Sequence, residues 1–342
     1  MDPVSHLLFA RMVAALRGDR AVTRGVVSAT VLGGLAPDVD AALMAVGWDV
    51  YLRWHDAGTH AIAGTPLVAI LTAALVRLWA PSAPFGSLVL AAWLGTLSHV
   101  FMDLYSGATI RVLWPIWSVP VSTAVVAMAD PIVMAVLMLG ALALWVWPRR
   151  PRPAAGLVLV LLTLVCAGKL TTRAWAGAAY AQRAREAGPI AEQISVEAVW
   201  GSWRHWAFFD RLPDGRLRAW AVDGWSGAAR QRFEQPGSRD LLFARASLAQ
   251  FATARNFLVA HPYAFATYRD TAEGAVVFWS DIRFCWSAGE QPDAQAEAPH
   301  QDVRPAVSAV RCALWFGGSL TATGQPREEL VWLGGHLQRR QP

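Results

Sequence analysis

The chain has 342 residues, of which 55% are apolar and only 16% charged, against about 25% charged in an ordinary soluble domain. That balance argues against a soluble enzyme, a disordered tail or a coiled coil, and indicates a membrane protein. The net charge of +5 and pI near 9.5 come without a long basic run, so nucleic-acid binding is not expected. Three cysteines exclude a disulfide-built scaffold and a thiolate zinc module.

Composition divides the chain near residue 175. The first 185 residues contain no Glu and a single Lys, whereas the remainder has ordinary acidic and basic content. Two short helices are predicted first, Val4 to Arg17 and Val22 to Ala36, each reaching only ~20 Å at about 1.5 Å per residue. Four apolar segments follow that are long enough to cross a bilayer, which takes about 20 residues: Ala61–Ala80, Phe85–Tyr105, Met128–Trp147 and Ala154–Thr172. No cleavable signal peptide is expected, because Met1-Asp2-Pro3 leads directly into a helix.

Arg17, Arg20 and Arg24 lie between the short helices, Arg77 ends the first long segment, and Arg149, Arg150 and Arg152 separate the last two. Placing these loops in the cytoplasm by the positive-inside rule turns the other connections outward. Lys169, Arg173, Arg183 and Arg185 then fall outside, where they lead into a large translocated domain and carry less weight.

After Pro189 the pattern is that of a soluble α+β domain. Val199–Arg211 and Arg216–Ser226 flank the turn Leu212-Pro213-Asp214-Gly215. Asp240–Leu258 has helical periodicity, and Ala275–Trp286 and Ala309–Gly317 read as strands, with a polar loop from Ser287 to Pro305. Cys285 and Cys312 could pair if this domain lies outside the cytoplasm. The expected architecture is a polytopic helical membrane domain, residues 1–175, with about four full spans plus the two shorter helices. An extracytoplasmic α+β domain, residues 186–342, completes it.

The informative residues are ionisable groups in the apolar half: His6, Asp38, Asp40, His55, His60, His99 and Asp103. At membrane depth such groups are costly and by default mark a functional site. His99 and Asp103 are four apart on a helix, so both project from one face, and Asp38 and Asp40 share a turn. Imidazole nitrogen and carboxylate oxygen suit zinc, with manganese or iron as alternatives. If the helices alternate in direction, all the polar knots fall on the same, non-cytoplasmic side. A lone intramembrane His is more often an interhelical hydrogen-bonder, and an Ala-Pro-Asp turn can simply end a helix; the set together favours a ligand cluster. No phosphate-cradling loop and no Gly-x-Ser-x-Gly elbow is present, and Gly33-Gly34 heads no nucleotide-binding pattern.

At these residues the chain resembles the membrane-bound metal-dependent hydrolase family, bacterial inner-membrane proteins of which some are described as LexA-binding. The likeness rests on Met1-Asp2-Pro3-Val4-Ser5-His6, Ala36-Pro37-Asp38-Val39-Asp40, Thr59-His60, Leu97-Ser98-His99 with Asp103, Leu113-Trp114-Pro115, Asp130-Pro131 and Ser280-Asp281-Ile282-Arg283-Phe284. Where the family shows His-Arg-Gly-x-Thr-His-Ser, this chain has His55-Asp56-Ala57-Gly58-Thr59-His60-Ala61, an acid standing in the place of Arg. The order of ligands is also similar to that of zinc-dependent phospholipase C and P1-type nucleases. That likeness implies one metal on His60, His99 and Asp40, a second on His6, and Asp103 bridging them.

The resulting expectation is a membrane-bound hydrolase with one or two divalent ions, acting on an ester or phosphoester of a lipid-like or amphipathic substrate. Asp38 or His55 would serve as general base or further ligand. Its surroundings would be the lipid bilayer of the inner membrane, with no nucleic acid and no specified protein partner. The alternative is a non-catalytic membrane regulator or assembly factor with a structural metal. A transporter is supported least, since Arg77 is the only charged residue from Pro66 to Leu97.

Overall fold

The computed structural model describes residues 1–17, 24–237, 242–287, 310–333 and 336–340. These fall into two compact units. The first comprises Met1–Val46, Trp54–Trp175 and Glu197–His205; the second comprises Gly47–Arg53, Ala176–Val196 and Trp206–Pro342. The division on the main chain falls beside residue 175, but each unit also holds a short segment from the other's stretch of sequence, which composition does not reveal. Apart from Ser287, the polar loop expected up to Pro305 lies outside the described residues.

In the first unit, helix α1 (Pro3–Leu16) starts on Pro3, and the Asp2 side chain accepts the backbone N–H of Ser5 as its N-cap. Helix α2 (Arg24–Gly33) gives way to a 3-10 segment (Ala36–Ala45) with a bend of 48°. Pro37 and the Gly33-Gly34 pair stand at that bend, where neither residue type sustains a helix. Helix α3 (Trp48–Trp54), counted with the second unit up to Arg53, follows in the chain, then α4 (Thr65–Arg77), α5 (Phe85–Tyr105), α6 (Pro131–Val146) and α7 (Pro151–Glu186), of which the first unit holds the part up to Trp175. Asp130 caps α6 by accepting from Ile132 and Val133 N–H, and it also pairs with Lys169, the only lysine of the chain, whose Nζ lies 2.7 Å away.

Four full spans were expected; among the described residues two helices, α5 and α7, are long and apolar enough to cross a membrane, and a third span exists if α2 and the 3-10 segment count as one bent crossing. The shortfall has a simple cause. The apolar runs at Ala61–Ala80 and Met128–Trp147 include turn residues at their ends, so α4 keeps 13 helical residues and α6 keeps 16. At about 1.5 Å per residue they fall short of the ~30 Å hydrocarbon thickness, which the 21 residues of α5 match.

The second unit is layered. Strands β1 (Gln193–Ala198), β2 (His205–Arg211), β3 (Leu217–Asp223) and β4 (Ala229–Gln235) form one sheet in that order. Helices α8 (Leu242–Gln250) and α9 (Ala252–Ala260) precede β5 (Ala264–Thr271), β6 (Gly274–Asp281) and β7 (Cys285–Ser287). Then come β8 (Val310–Cys312), β9 (Leu314–Thr321), β10 (Pro326–Leu333) and β11 (His336–Arg340). A second, antiparallel sheet runs β11-β10-β9-β6-β5, and β7 pairs with β8.

The period of two along these strands sorts the core. Ala264, Ala266, Val277, Trp279 and Phe316 pack with Phe251 and Phe257 of the helical layer. Their neighbours Phe265, Phe278 and Trp315 pack with Phe209, Leu217 and Ala219 of the four-stranded sheet. The strand expected from Val199 begins only at His205, and the helix expected over Asp240–Leu258 is two helices broken at Phe251. Cys285 and Cys312, facing residues of β7 and β8, form a disulfide.

The Ser280–Phe284 element has a structural role here. Arg283 donates to both oxygens of Asp281, at 2.8 and 2.9 Å, and its Nη2 lies 3.3 Å from His261 Nδ1. A guanidinium only donates, so that nitrogen of His261 accepts. Burial beside Phe257 and Phe284, only partly offset by Asp281, together with the Arg283 charge, pushes the His261 pKa down to about 4. A histidine whose folded pKa is depressed favours the fold above its unfolded pKa of about 6.5 and loses that contribution as pH falls towards 4. Thermal unfolding followed by near-UV circular dichroism should show an acid-side loss of about 1–2 kcal/mol, screening at this half-buried position included, which His261→Gln removes.

Candidate metal centre

Four stretches of the first unit converge on the end of α5. His6 lies in the first turns of α1, Asp38 and Asp40 on the 3-10 segment, His55 and His60 in the loop before α4, and His99 and Asp103 in the last two turns of α5. His6, His60, His99 and Asp103 are buried, and Asp38 is partly exposed.

Two overlapping donor groups result, His60/His99/Asp103 and His6/Asp38/His99, each with its ligand atoms within 4.8 Å of one another. Nε2 of His60 faces Nε2 of His99 at 3.2 Å. Asp103 Oδ2 is 3.1 Å from His99 Nε2 and 3.6 Å from His60 Nε2, and Asp38 Oδ1 is 3.5 and 3.6 Å from the same two atoms. His6 stacks on His99 with ring centroids 3.7 Å apart, and its Nε2 lies 3.2 Å from Asp103 Oδ1. Asp103 Oδ1 also contacts the amine of Met1.

Ring orientation decides which nitrogens are offered. His99 Nδ1 is 2.8 Å from the Gly34 carbonyl, which can only accept, so Nδ1 carries the proton and the Nε2 lone pair of the neutral ring points into the cluster. On His60, Nδ1 lies 3.1 Å from Thr59 Oγ1 and 3.4 Å from Asp40 Oδ2, leaving Nε2 to the cluster. Asp40 accepts from Thr59 Oγ1 at 2.7 Å and stands 2.7 Å from His55 Nδ1, and His55 Nε2 is 3.2 Å from Asp56. Asp38 and Asp40 therefore separate: the first reaches the donor cluster, the second backs His60 and His55. Burial disfavours a charged His60 ring, but the carboxylates of Asp38 and Asp40 outweigh it and its pKa is pushed up to about 10.

These residues fit a divalent cation. His6 Nδ1 has no hydrogen-bond partner among the described residues, and Nε2 meets only the Asp103 carboxylate, although the ring is buried. An imidazole nitrogen left unpaired in the interior and several carboxylates at low exposure are costly, and a positive ion would receive their lone pairs. The nitrogen and oxygen set suits zinc, manganese or iron.

The sequence reading passed over the residues that let the site close. A Cβ on Gly95 would lie 2.0 Å from the Thr30 carbonyl oxygen, and one on Gly33 would lie 2.2 Å from that of Ala92. Both obstacles are backbone, so only glycine lets α2 lie this close to α5 and bring the Gly34 carbonyl to His99. The glycine pair in an apolar helix was the available signal. Gly95→Ala should lower stability by about 1–3 kcal/mol, the usual range for overpacking, and weaken metal retention with it; thermal unfolding and metal analysis of the purified variant check both.

Residues 1–175 match the family described as YdjM inner membrane protein. A curated relative, the uncharacterized protein YfhP of Bacillus subtilis (strain 168), is 28% identical over 152 residues, covering 42% of this chain and 46% of the relative. The match thus spans less than half of that relative's length. No solved structure matches the chain. The half with the apolar helices and the buried His/Asp cluster is the part that the family model covers, and the chain belongs to the YdjM inner membrane protein family.

Proposed function

We propose that this chain is a membrane-bound metal-dependent hydrolase of esters or phosphoesters carried by lipid-like, amphipathic molecules. The observation that carries the reading is the inward convergence of His60 Nε2, His99 Nε2 and Asp103 Oδ2, two of them on rings whose other nitrogen is held from behind. Both donor groups use the one free nitrogen of His99, which favours a single ion over two. His6, His60, His99 and Asp103 would hold it, with Asp38 as a further ligand on the more open side. A bound divalent ion supplies Lewis-acid chemistry, polarising the ester oxygen and acidifying water. Asp40 orients His60 and His55, and Asp38 or His55 would serve as general base. The Cys285–Cys312 disulfide supports an oxidising, extracytoplasmic location for the second unit.

The five donors are numerous enough to fill a coordination sphere, which favours the rival reading of a regulator or assembly factor with a structural metal. Elemental analysis of protein purified in detergent, paired with hydrolysis of bis-p-nitrophenyl phosphate, distinguishes them. Metal near one equivalent with metal-dependent turnover supports the hydrolase; the same metal without turnover on ester or phosphoester probes supports the rival; no metal removes both. Asp40→Asn should retain the ion but weaken its affinity by about 10–100-fold, as loss of an orienting partner does, read by chelator competition.

A further inference from the structure

Between α5 and α6 the chain makes a hairpin closed by the bridge Ile110–Val121. Its base is fastened to the end of α5: Thr123 and Val125 N–H donate to the carbonyls of Leu104 and Tyr105. It is also fastened to the metal-centre loop, since Arg111 N–H donates to the Asp56 carbonyl, Ile62 N–H donates to that of Val112, and Trp114 stacks edge-on against Trp54. Its tip faces outward with apolar side chains. Ile116 is 95% exposed, and Leu113, Trp117 and Val119 are exposed too, as are Trp54 at the end of α3 and Ile62 on the loop that follows it. From Val112 to Ala129 no residue is charged.

A contiguous exposed apolar patch marks a contact surface, and here the position selects the occupant. The hairpin leaves the end of a helix matched to the hydrocarbon thickness and leads into another apolar helix, so it emerges at headgroup depth. Trp114 and Trp117, with Pro115, Ile116 and Ser118 beside them and no charge beyond Arg111 at the base, suit that boundary.

We propose that the hairpin 110–121 is a membrane-docking surface that inserts Leu113, Ile116, Trp117 and Val119 into the headgroup–acyl boundary of the bilayer. The loop carrying His55 and His60 is thereby held at the lipid surface. This deepens the hydrolase reading and rests on it for its consequence, that substrate reaches the centre from the membrane; the insertion itself stands without catalysis.

The test is site-directed spin labelling in phosphatidylethanolamine/phosphatidylglycerol vesicles. Ile116→Cys carries the nitroxide in a Cys166→Ala background, with Asp214→Cys, on the exposed β2–β3 turn, as aqueous reference. Insertion predicts a ratio of oxygen to nickel-chelate accessibility several-fold higher at 116 than at 214. A ratio equal to the reference means the tip lies in water and overturns the proposal. Low accessibility to both reagents means that protein, such as a second copy of the chain, covers the tip, and overturns it equally. Metal content of the labelled protein is measured alongside, so a failed insertion with metal retained leaves the metal centre standing.

Discussion

Replacing His99 by alanine is expected to abolish metal binding at the proposed centre. His99 is the only residue common to both donor groups, and its Nε2 lies within 3.5 Å of His60 Nε2, Asp38 Oδ1 and Asp103 Oδ2. Loss of an orienting partner alone weakens metal sites by about 10–100-fold, so loss of the shared ligand should exceed about 100-fold. Asp103→Asn is the companion variant, because it keeps the shape of the side chain while removing the charge that faces His6, His60 and His99. Metal-to-protein ratios measured by mass spectrometry after purification without chelator should be near one for the wild type and near zero for both variants. Equal ratios in all three proteins would sink the proposed centre, whether that shared ratio is one or zero.

In the second unit the largest effect is expected at Asp210. Its carboxylate receives Arg218 Nε and Nη2 at 2.8 and 2.9 Å, Tyr180 Oη at 2.7 Å and Trp220 Nε1 at 3.1 Å. Asp210 is fully buried and Arg218 almost so. Asp210→Ala therefore leaves a guanidinium without its counter-charge in the core and two further donors without an acceptor, a loss of about 3–5 kcal/mol. Asp210→Leu with Arg218→Met should recover much of this, since breaking a buried pair is worse than replacing both partners with apolar groups. Denaturant unfolding of the disulfide-intact chain in detergent measures each variant. A loss below about 1 kcal/mol for Asp210→Ala would show that the pair is solvated in solution.

Some of this was readable along the chain and some was not, for local and non-local reasons respectively. A helix start was legible at Asp2-Pro3, where the cap and the proline act on the residues beside them. The 21 residues of α5 were legible as a span because its apolar run is helical throughout, whereas the runs around α4 and α6 were overcounted because turns are as apolar there as the helices they bound. Ionisable residues in the apolar half stood out as candidates for the same reason, that burying them needs a purpose.

What the one-dimensional pattern cannot carry is which atom of each candidate faces which. Asp38 and Asp40 are two residues apart and chemically identical, yet one reaches the His60/His99 pair and the other backs His60 and His55, because the 3-10 segment turns them to different neighbours. Likewise the proton on His99 Nδ1 is set by a carbonyl 65 residues away, at Gly34, which arrives only because Gly33 and Gly95 let two backbones touch. Composition and local spacing thus defined a membrane half, an α+β half and the candidate His and Asp residues. Long-range packing, where each contact depends on chain segments far apart in sequence, decided the tautomers, the division of labour among the carboxylates and the apolar hairpin beside the centre.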